Sequence, residues 1–258
     1  GYLDRLTPVS EIEDATPVAR LRAAGALIVG KTYVPNYSLG ILPPRMCPTR
    51  NPWNLEHTPG GSSSGSGAAV GARMVPVAIS EQTGGSGLRP AAYCGVDGLM
   101  PTYGRVSRFG CVPFAWSQDR VGIIGLTMED IALVLSVIAG PDPRDPTTLP
   151  DPVPAADLNM WNVRPPRIGV VRNFFPERSQ PVMLEAIENA AKCLRESGAT
   201  VEDYMLPDVF GLTWDAGSIV SGAEGAAFHA QREVAGLNPG TTALAGEHRT
   251  GAIVPAPY

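Results

Sequence analysis

Two glycine- and serine-rich segments constrain this chain more than any other feature. The first reads PGGSSSGSGAAVG from Pro59, and the second reads TGGSG from Thr83. An apolar Ala/Gly/Val stretch and a strand-like segment at residues 75–79 separate them. A single Gly/Ser run is typical of a flexible linker. Two such runs joined by ordered apolar sequence instead predict a built site, in which backbone N–H groups of tight turns point at a ligand.

Composition narrows the class of protein. The 258 residues, 44% hydrophobic and 17% charged, suit one large α/β domain or two small ones. A net charge of −5 leaves no basic surface for nucleic acid or for an anionic membrane, and no apolar run is long enough to span a bilayer. No signal peptide precedes Gly1, so we expect a cytoplasmic protein. The cysteines lack CxxC spacing and predict free thiols: Cys47, Cys94, Cys111 and Cys193.

The first half of the chain alternates helix and strand signals. Residues 14–24 predict a helix with Asp14 as its N-cap and Pro17 in the first turn, and Gly25 is suited to end it. Residues 26–29 predict a short buried strand. Two further segments predict loops, a polar one at residues 45–58 and a turn-rich one at residues 106–122 that covers the site.

The second half predicts a strand–helix–strand unit. Thr127, with Asp130 three residues later, caps a predicted helix that runs to Gly140. The predicted strands at residues 167–172 and 200–205 flank a predicted amphipathic helix at residues 183–197, which favours parallel pairing through a right-handed crossover. Residues 214–235 predict a further helix.

Residues 141–165 are rich in proline and aspartate. Proline removes backbone donors and fixes φ, so this segment predicts neither helix nor central strand. We interpret it as a surface excursion from a single core that spans residues 1–258. A domain boundary is the alternative, because loops of this length are uncommon inside compact domains.

A phosphate-binding pattern, GxxxxGK[ST], occurs at residues 25–32. A phosphate loop needs a strand before it, an irregular cradle of N–H groups within it and a helix after it. Here the preceding segment predicts a helix, the four intervening residues resemble a strand, and Pro35 follows soon after. The context therefore argues against nucleotide binding through Lys31.

The second glycine-serine turn can carry chemistry. Small residues at Gly84 and Gly85 let successive N–H groups face one concavity, which would stabilise the oxyanion formed when Ser86 attacks a carbonyl. A strand-to-helix turn that only packs is the competing interpretation. None of the histidines (His57, His229 and His248) has the sequence context of a triad, so a serine with a buried, neutral lysine is the natural substitute.

Several blocks together resemble the amidase signature family. They are DATPVARLRAAGALIVGKT, TRNPWNLEHTPGGSSSGSGAAV, EQTGGSGLRPAAYCGVDGLMPTYGRVSRFG and VGIIGLTMEDIALVL. The resemblance covers most of residues 10–140 and is weaker beyond them. It implies an α/β fold with a mixed, largely parallel central sheet flanked by helices.

The resemblance also implies roles for both turns. Ser86 corresponds to the nucleophile, and Ser62 corresponds to a serine in a cis peptide that relays a proton between Ser86 and a lysine. The N–H groups of four residues would form the oxyanion hole: Thr83, Gly84, Gly85 and Ser86. Ser63 and Gln82 would support the site, with Gln82 at a position where the family often has Asp.

One member of the implied triad does not match. Lys31 corresponds to a structural lysine of the family, and Lys192 lies on a predicted amphipathic helix, so the lysine base is not found in this chain. We therefore expect a core that is incomplete at both ends. The expected function is hydrolysis of a small-molecule amide through an acyl-enzyme, without metal or organic cofactor, and a homodimer is a possible assembly. The alternative is an inactive truncated homologue or scaffold subunit.

Overall fold

A computed structural model describes residues 13–35, 38, 48–153, 155–156 and 165–234 of the protein. The chain divides into two compact units, one formed by Gly1–Ala156 with Ile219–Tyr258 and the other by Asp157–Ser218. The division after Ala156 falls within the proline- and aspartate-rich segment, where the sequence left a domain boundary open. Several residues of the sequence analysis lie outside the described residues: 45–47, 154, 157–164, 235 and His248.

The first unit contains a three-stranded sheet in the order β1-β3-β2. Its strands are β1 (Val77–Gln82), β2 (Asp97–Leu99) and β3 (Arg120–Gly125). Both pairings are antiparallel. β1 and β2 therefore run in the same direction, with β3 inserted between them. The apolar sequence of β3 explains its central place, because a strand covered on both faces needs apolar residues at successive positions.

Helices cover both faces of this sheet. They are α1 (Thr16–Ala23), α2 (Ser64–Gly71), α3 (Leu88–Cys94) and α4 (Met128–Ile138). Successive side chains of a strand point to opposite faces. Ile123 packs against Ile131 and Ile138 of α4, whereas Ile124 packs against Val70 of α2 and Ala91 of α3. The two clusters form the core of the first unit.

The second unit has the predicted strand–helix–strand order. β4 (Arg167–Val171) and β5 (Thr200–Tyr204) pair in parallel, and α5 (Pro181–Glu196) connects them. The left-handed Gly198 follows the end of α5. A further helix, α6 (Thr213–Val234), begins in this unit. The predicted parallel pairing of the two strands is therefore confirmed, as are the predicted helix between them and the predicted helix that follows them.

The mixed α/β fold with flanking helices is confirmed, and the described strands pair in both senses, antiparallel in the first unit and parallel in the second. Two local predictions were wrong. α1 begins at Thr16 without a side-chain cap, because Asp14 instead accepts a hydrogen bond from Arg22 Nε at 2.8 Å. Residues 26–29 form no strand; Leu27 is 90% exposed. An apolar run becomes a strand only when a neighbour completes its hydrogen bonds, and no described strand pairs with it.

The start of the proline- and aspartate-rich segment contains two buried carboxylates. Asp142 and Asp145 are buried, and each carboxylate accepts several hydrogen bonds. The hydroxyls of Thr16 and Ser107 donate to Asp142, and the backbone N–H of Arg108 donates to Asp145. Buried carboxylates are tolerated when such donors satisfy them. These contacts attach the segment to the first unit through side chains.

None of the helices in the described part of the chain is long and apolar enough to cross a membrane.

Candidate active site

The first glycine-serine turn leads into α2 and is packed tightly. Gly60 has a φ of +81°, and a Cβ there would lie 2.9 Å from Pro90 Cα, so only glycine fits. The peptide bond between Gly61 and Ser62 is cis, as the family resemblance implied. Ser62 is fully buried, and its hydroxyl has no hydrogen-bond partner among the described residues.

Serines of the first turn fasten α2 to the edge of β1. The Ser63 hydroxyl donates to the carbonyl of Glu81 at 3.1 Å and accepts from the N–H of Glu81 at 3.1 Å. One turn further along, the Ser66 hydroxyl donates to the carbonyl of Ile79 at 2.8 Å. Because Ser63 satisfies both backbone groups of Glu81, it substitutes for a neighbouring strand at that point. The supporting role of Ser63 in the site stays a prediction.

The two turns lie side by side. The backbone N–H of Ser63 donates to the carbonyl of Ser86 at 3.0 Å. Across the same junction, Arg89 Nε donates to the carbonyl of Gly61 at 3.1 Å. Ser86 itself is 9% exposed, so it lies at the border between core and surface. The structure thus brings Ser62 and Ser86 into neighbouring turns, although 23 residues of intervening sequence separate them.

The second turn connects β1 to α3 and leaves backbone donors free. The Gln82 side-chain oxygen accepts from the N–H groups of Gly87 and Leu88, both at 3.0 Å, and so caps α3. Among the described residues, none accepts a hydrogen bond from the N–H groups of Gly84, Gly85 or Ser86. Successive unpaired N–H groups in one turn form a site that stabilises negative charge.

A cavity of about 250 Å³ lies beneath the end of β1. Its charged and aromatic lining includes Glu81, Arg108, Trp116, Asp119 and Arg120, whereas neither Ser62 nor Ser86 is among the described residues that line it. Burial, and then the negative charge of Asp119, raises the pKa of Glu81 to about 7. Burial also raises the pKa of the Cys111 thiol to about 12, which keeps the thiol protonated and a poor nucleophile.

Sequence reasoning missed Asp119. Its carboxylate accepts from the Thr83 hydroxyl at 2.5 Å and from the N–H groups of Phe114 and Ala115 at 2.7 and 2.9 Å. Asp119 immediately precedes β3, and the antiparallel register places Arg120 opposite Gln82. The sequence shows a carboxylate directly before an apolar strand, which could have marked Asp119 as a candidate site residue. Its partner Thr83 follows only from the pairing register of β1 and β3.

The lysines and histidines of the described chain do not complete the site. Lys31 is exposed, and Lys192 is exposed and pairs with Glu196 at 3.9 Å. No hydrogen bond within the described residues joins Lys31 to Ser62 or Ser86. His57 is exposed in a turn. Residues 26–35, which follow α1 directly, form no helix, so the phosphate-binding pattern has neither the strand nor the helix it requires.

Comparison with known proteins identifies relatives along nearly the whole chain. The protein-family model described as Amidase matches residues 4–245. The A subunit of glutamyl-tRNA(Gln) amidotransferase from Roseiflexus castenholzii is 48% identical over 208 residues, which are 80% of this chain and 42% of that protein. The corresponding protein from Thermus thermophilus is 43% identical over 198 residues, 76% of this chain and 42% of that protein. The chain thus spans less than half the length of these relatives.

Solved structures of related amidases also superpose on this chain. The A subunit of glutamyl-tRNA(Gln) amidotransferase from Thermotoga maritima superposes with a TM-score of 0.78 at 33% identity, over 93% of this chain and 55% of that one. The peptide amidase of Stenotrophomonas maltophilia superposes with a TM-score of 0.74 at 33% identity, over 92% of this chain and 55% of that one. With a family match that covers most of its length, the chain belongs to the amidase (amidase signature) family.

Proposed function

We propose that this chain carries the nucleophile and the oxyanion-binding turn of an amide-bond hydrolase that works through an acyl-enzyme. The observation that carries the proposal is the junction of the two turns. The hydrogen bond from Ser63 N–H to the Ser86 carbonyl holds the turns together, and the N–H groups that follow Thr83 have no described acceptor. Amide hydrolysis or amide transfer is the reaction class that the family supports.

Ser86 is the proposed nucleophile. Its Oγ bonds to the amide carbonyl carbon while its proton passes to the Ser62 hydroxyl, which passes its own proton to a base. The carbonyl oxygen gains the negative charge and accepts hydrogen bonds from the N–H groups of Thr83, Gly84, Gly85 and Ser86. The base returns a proton through Ser62 to the amide nitrogen, and collapse of the intermediate then breaks the C–N bond and releases the amine. Water then attacks the acyl-enzyme by the same route and releases the acid. One such oxyanion donor contributes about 10²–10³ in rate.

Ser62 suits a proton relay because its hydroxyl is buried and has no hydrogen-bond partner among the described residues. A buried hydroxyl without a partner costs free energy, and it is retained where another group engages it. Lys31 makes no described hydrogen bond to either serine, and the resemblance aligns neither Lys31 nor Lys192 with the lysine base of the family. We therefore propose that the base lies outside this stretch of sequence, on the same protein or on a partner chain.

Partners beyond the substrate are part of the proposal. The relatives are named as the A subunit of an amidotransferase, and one solved structure, which superposes with a TM-score of 0.83 at 33% identity over 94% of this chain and 52% of that one, is described as part of a vestigial protein complex. A second protein chain, or a second copy in a homodimer, is consistent with those names. The free thiols among the described residues, Cys94, Cys111 and Cys193, support a reducing, cytoplasmic location.

Labelling by a fluorophosphonate probe tests the nucleophile in the full-length protein. We expect Ser86→Ala to abolish labelling and amide hydrolysis, and Ser62→Ala to slow both by at least 10²-fold, because general acid–base catalysis contributes about 10²–10⁴. Ser64→Ala is the matched control, since Ser64 is a buried serine at the start of α2 whose hydroxyl, among the described residues, makes only a 3.4 Å contact with the Tyr33 carbonyl. Full turnover by Ser86→Ala would reject the proposal. Absence of labelling in the unmodified protein would favour the inactive scaffold.

A further inference from the structure

Asp119 is a buried carboxylate that the proposed mechanism does not use. It is 3% exposed and lies at the end of the loop that precedes β3. One carboxylate oxygen accepts the Thr83 hydroxyl, and the other accepts two backbone N–H groups of the loop, those of Phe114 and Ala115. All three contacts are donated to Asp119, so the ionised carboxylate satisfies every one of them. A buried acceptor with three donors holds its surroundings in one geometry.

Thr83 is the residue through which this carboxylate reaches the second turn. Gly84 and Gly85 have no side chains, so between β1 and Ser86 only the Thr83 side chain can hydrogen-bond. Gly84 has open space where a Cβ would lie, and Gly85 approaches only the end of the Arg89 side chain. No packing contact therefore fixes these two peptides from the Cβ side. The pairing of Gln82 with Arg120 ties the end of β1 to β3, and the link from Thr83 to Asp119 extends this attachment into the turn.

We infer that Asp119 is a positioning residue, which holds the Thr83 end of the turn so that its N–H groups face the oxyanion. The inference rests on the proposed function, since it assigns the support of the same oxyanion site. Oxyanion donors act only when they lie about 3 Å from the developing charge, and misplacement by about 1 Å can cost about 10²-fold. Loss of the Thr83 hydroxyl or of the Asp119 carboxylate should therefore slow acylation more than substrate binding.

The test is a double-mutant cycle in the full-length protein, read as the rate of fluorophosphonate labelling and as kcat and KM for amide hydrolysis. Thr83→Val removes the hydroxyl and keeps the shape, and Asp119→Asn removes the charge. We expect each to slow labelling and kcat 10- to 100-fold with little change in KM. The double variant should be no slower than the slower single variant, because both changes break one link. Thr83→Ser, which keeps the hydroxyl, should restore most of the rate.

Thr147→Val is the matched control. The Thr147 hydroxyl donates to the buried carboxylate of Asp145, which lines the same cavity, at 2.6 Å and accepts from Arg108 Nη2 at 3.0 Å. It therefore forms a threonine–aspartate pair that has no described hydrogen bond to the turn. This variant should label at the unmodified rate, and thermal unfolding should show comparable losses of stability for Thr147→Val and Thr83→Val.

The outcomes separate this inference from the proposed function. Labelling that persists in Ser86→Ala rejects the function itself. Labelling that needs Ser86 but is unchanged in Thr83→Val, or is equally slow in Thr83→Ser and Thr83→Val, overturns the inference alone. Additive effects of Thr83→Val and Asp119→Asn overturn it as well. If Asp119→Asn does not fold, the labelling rates of Thr83→Val and Thr83→Ser still test the inference, because both variants keep the Asp119 carboxylate.

Discussion

The two glycine-serine turns use the same residue types for different purposes. In the first turn and the start of α2 that follows it, glycines allow close packing: a Cβ on Gly65 would lie 2.7 Å from the Tyr33 carbonyl oxygen, and one on Gly67 would lie 2.8 Å from Pro90. In the second turn, a Cβ on Gly84 would meet nothing within 4 Å. Glycine is therefore needed in the first turn for space, whereas in the second it leaves the backbone N–H groups uncovered.

The two turns also differ in the charge of the groups that hold them in place. The first turn is fastened to β1 by neutral serine hydroxyls, such as that of Ser63 on Glu81. The second turn is tied through Thr83 to the carboxylate of Asp119, with the Glu81 side chain close by in the same cavity. We therefore expect the first turn to respond to changes of volume and the second to changes of charge and hydrogen bonding.

Gly65→Ala should give the largest loss of stability. The added methyl would collide with the backbone of Tyr33 and with Thr32 Cβ at 2.8 Å, and backbone cannot move aside as the end of a side chain can. Overpacking costs about 1–3 kcal/mol and occasionally more, and we expect the upper end of this range here, which chemical unfolding would measure. Gly84→Ala, with open space around it, should stay within about 0.5 kcal/mol. Similar losses for both variants would contradict the distinction between a packed and an open turn.

The second-largest effect should depend on pH and appear in Glu81→Gln. In the folded chain the pKa of Glu81 is raised to about 7, whereas in the unfolded chain it titrates near its ordinary value of 4.5. The stability that the protonated carboxyl contributes is therefore complete below about pH 4.5 and is lost as pH rises to about 7. Glutamine does not ionise, so the variant should gain at most about 3 kcal/mol over the unmodified protein at pH 8 and nothing at pH 4.

Unfolding by urea at the two pH values measures this difference. The groups that face Glu81 are the Asp119 carboxylate, the Arg108 guanidinium, the Cys111 thiol and the Ser38 hydroxyl, which donates to Glu81 at 3.3 Å. Glu56→Gln, at an exposed glutamate, reports the effect of removing one negative charge from the surface. A gain from Glu81→Gln that is equal at pH 4 and pH 8 would show that the carboxyl does not titrate in this window.

Local signals predicted much of this structure. The Thr127 hydroxyl accepts from the N–H of Asp130 at 3.2 Å at the start of α4, as the capping pattern indicated. The strand–helix–strand order around α5 and its parallel pairing also followed from periodicity and glycine. Such features depend on residues a few positions apart, which is the range over which sequence patterns are informative.

Contacts between distant residues were not predictable in the same way. The link from Thr83 to Asp119 depends on the antiparallel register of β1 and β3, and the burial of Asp142 depends on donors from α1 and from residue 107. Residues 26–29 carry the apolar pattern of a strand, yet no described strand pairs with them. Family resemblance placed the two turns in one site where local pattern alone left a simple packing turn open. The catalytic roles of Ser62 and Ser86 stay predictions.

Gln82→Met should give the smallest of these effects and shows how firmly the second turn is held where it enters α3. Gln82 is 6% exposed, and its side-chain oxygen accepts the N–H groups of Gly87 and Leu88. Methionine has a similar shape but offers no comparable acceptor, so the buried N–H of Gly87 loses its partner, at a cost of about 1–2 kcal/mol. Gln82→Glu is the matched control, because it keeps an accepting oxygen and adds negative charge at a helix N-terminus. Chemical unfolding should therefore rank glutamine first, glutamate second and methionine last. A methionine variant as stable as the glutamate variant would mean that the accepting oxygen of residue 82 does not hold the turn.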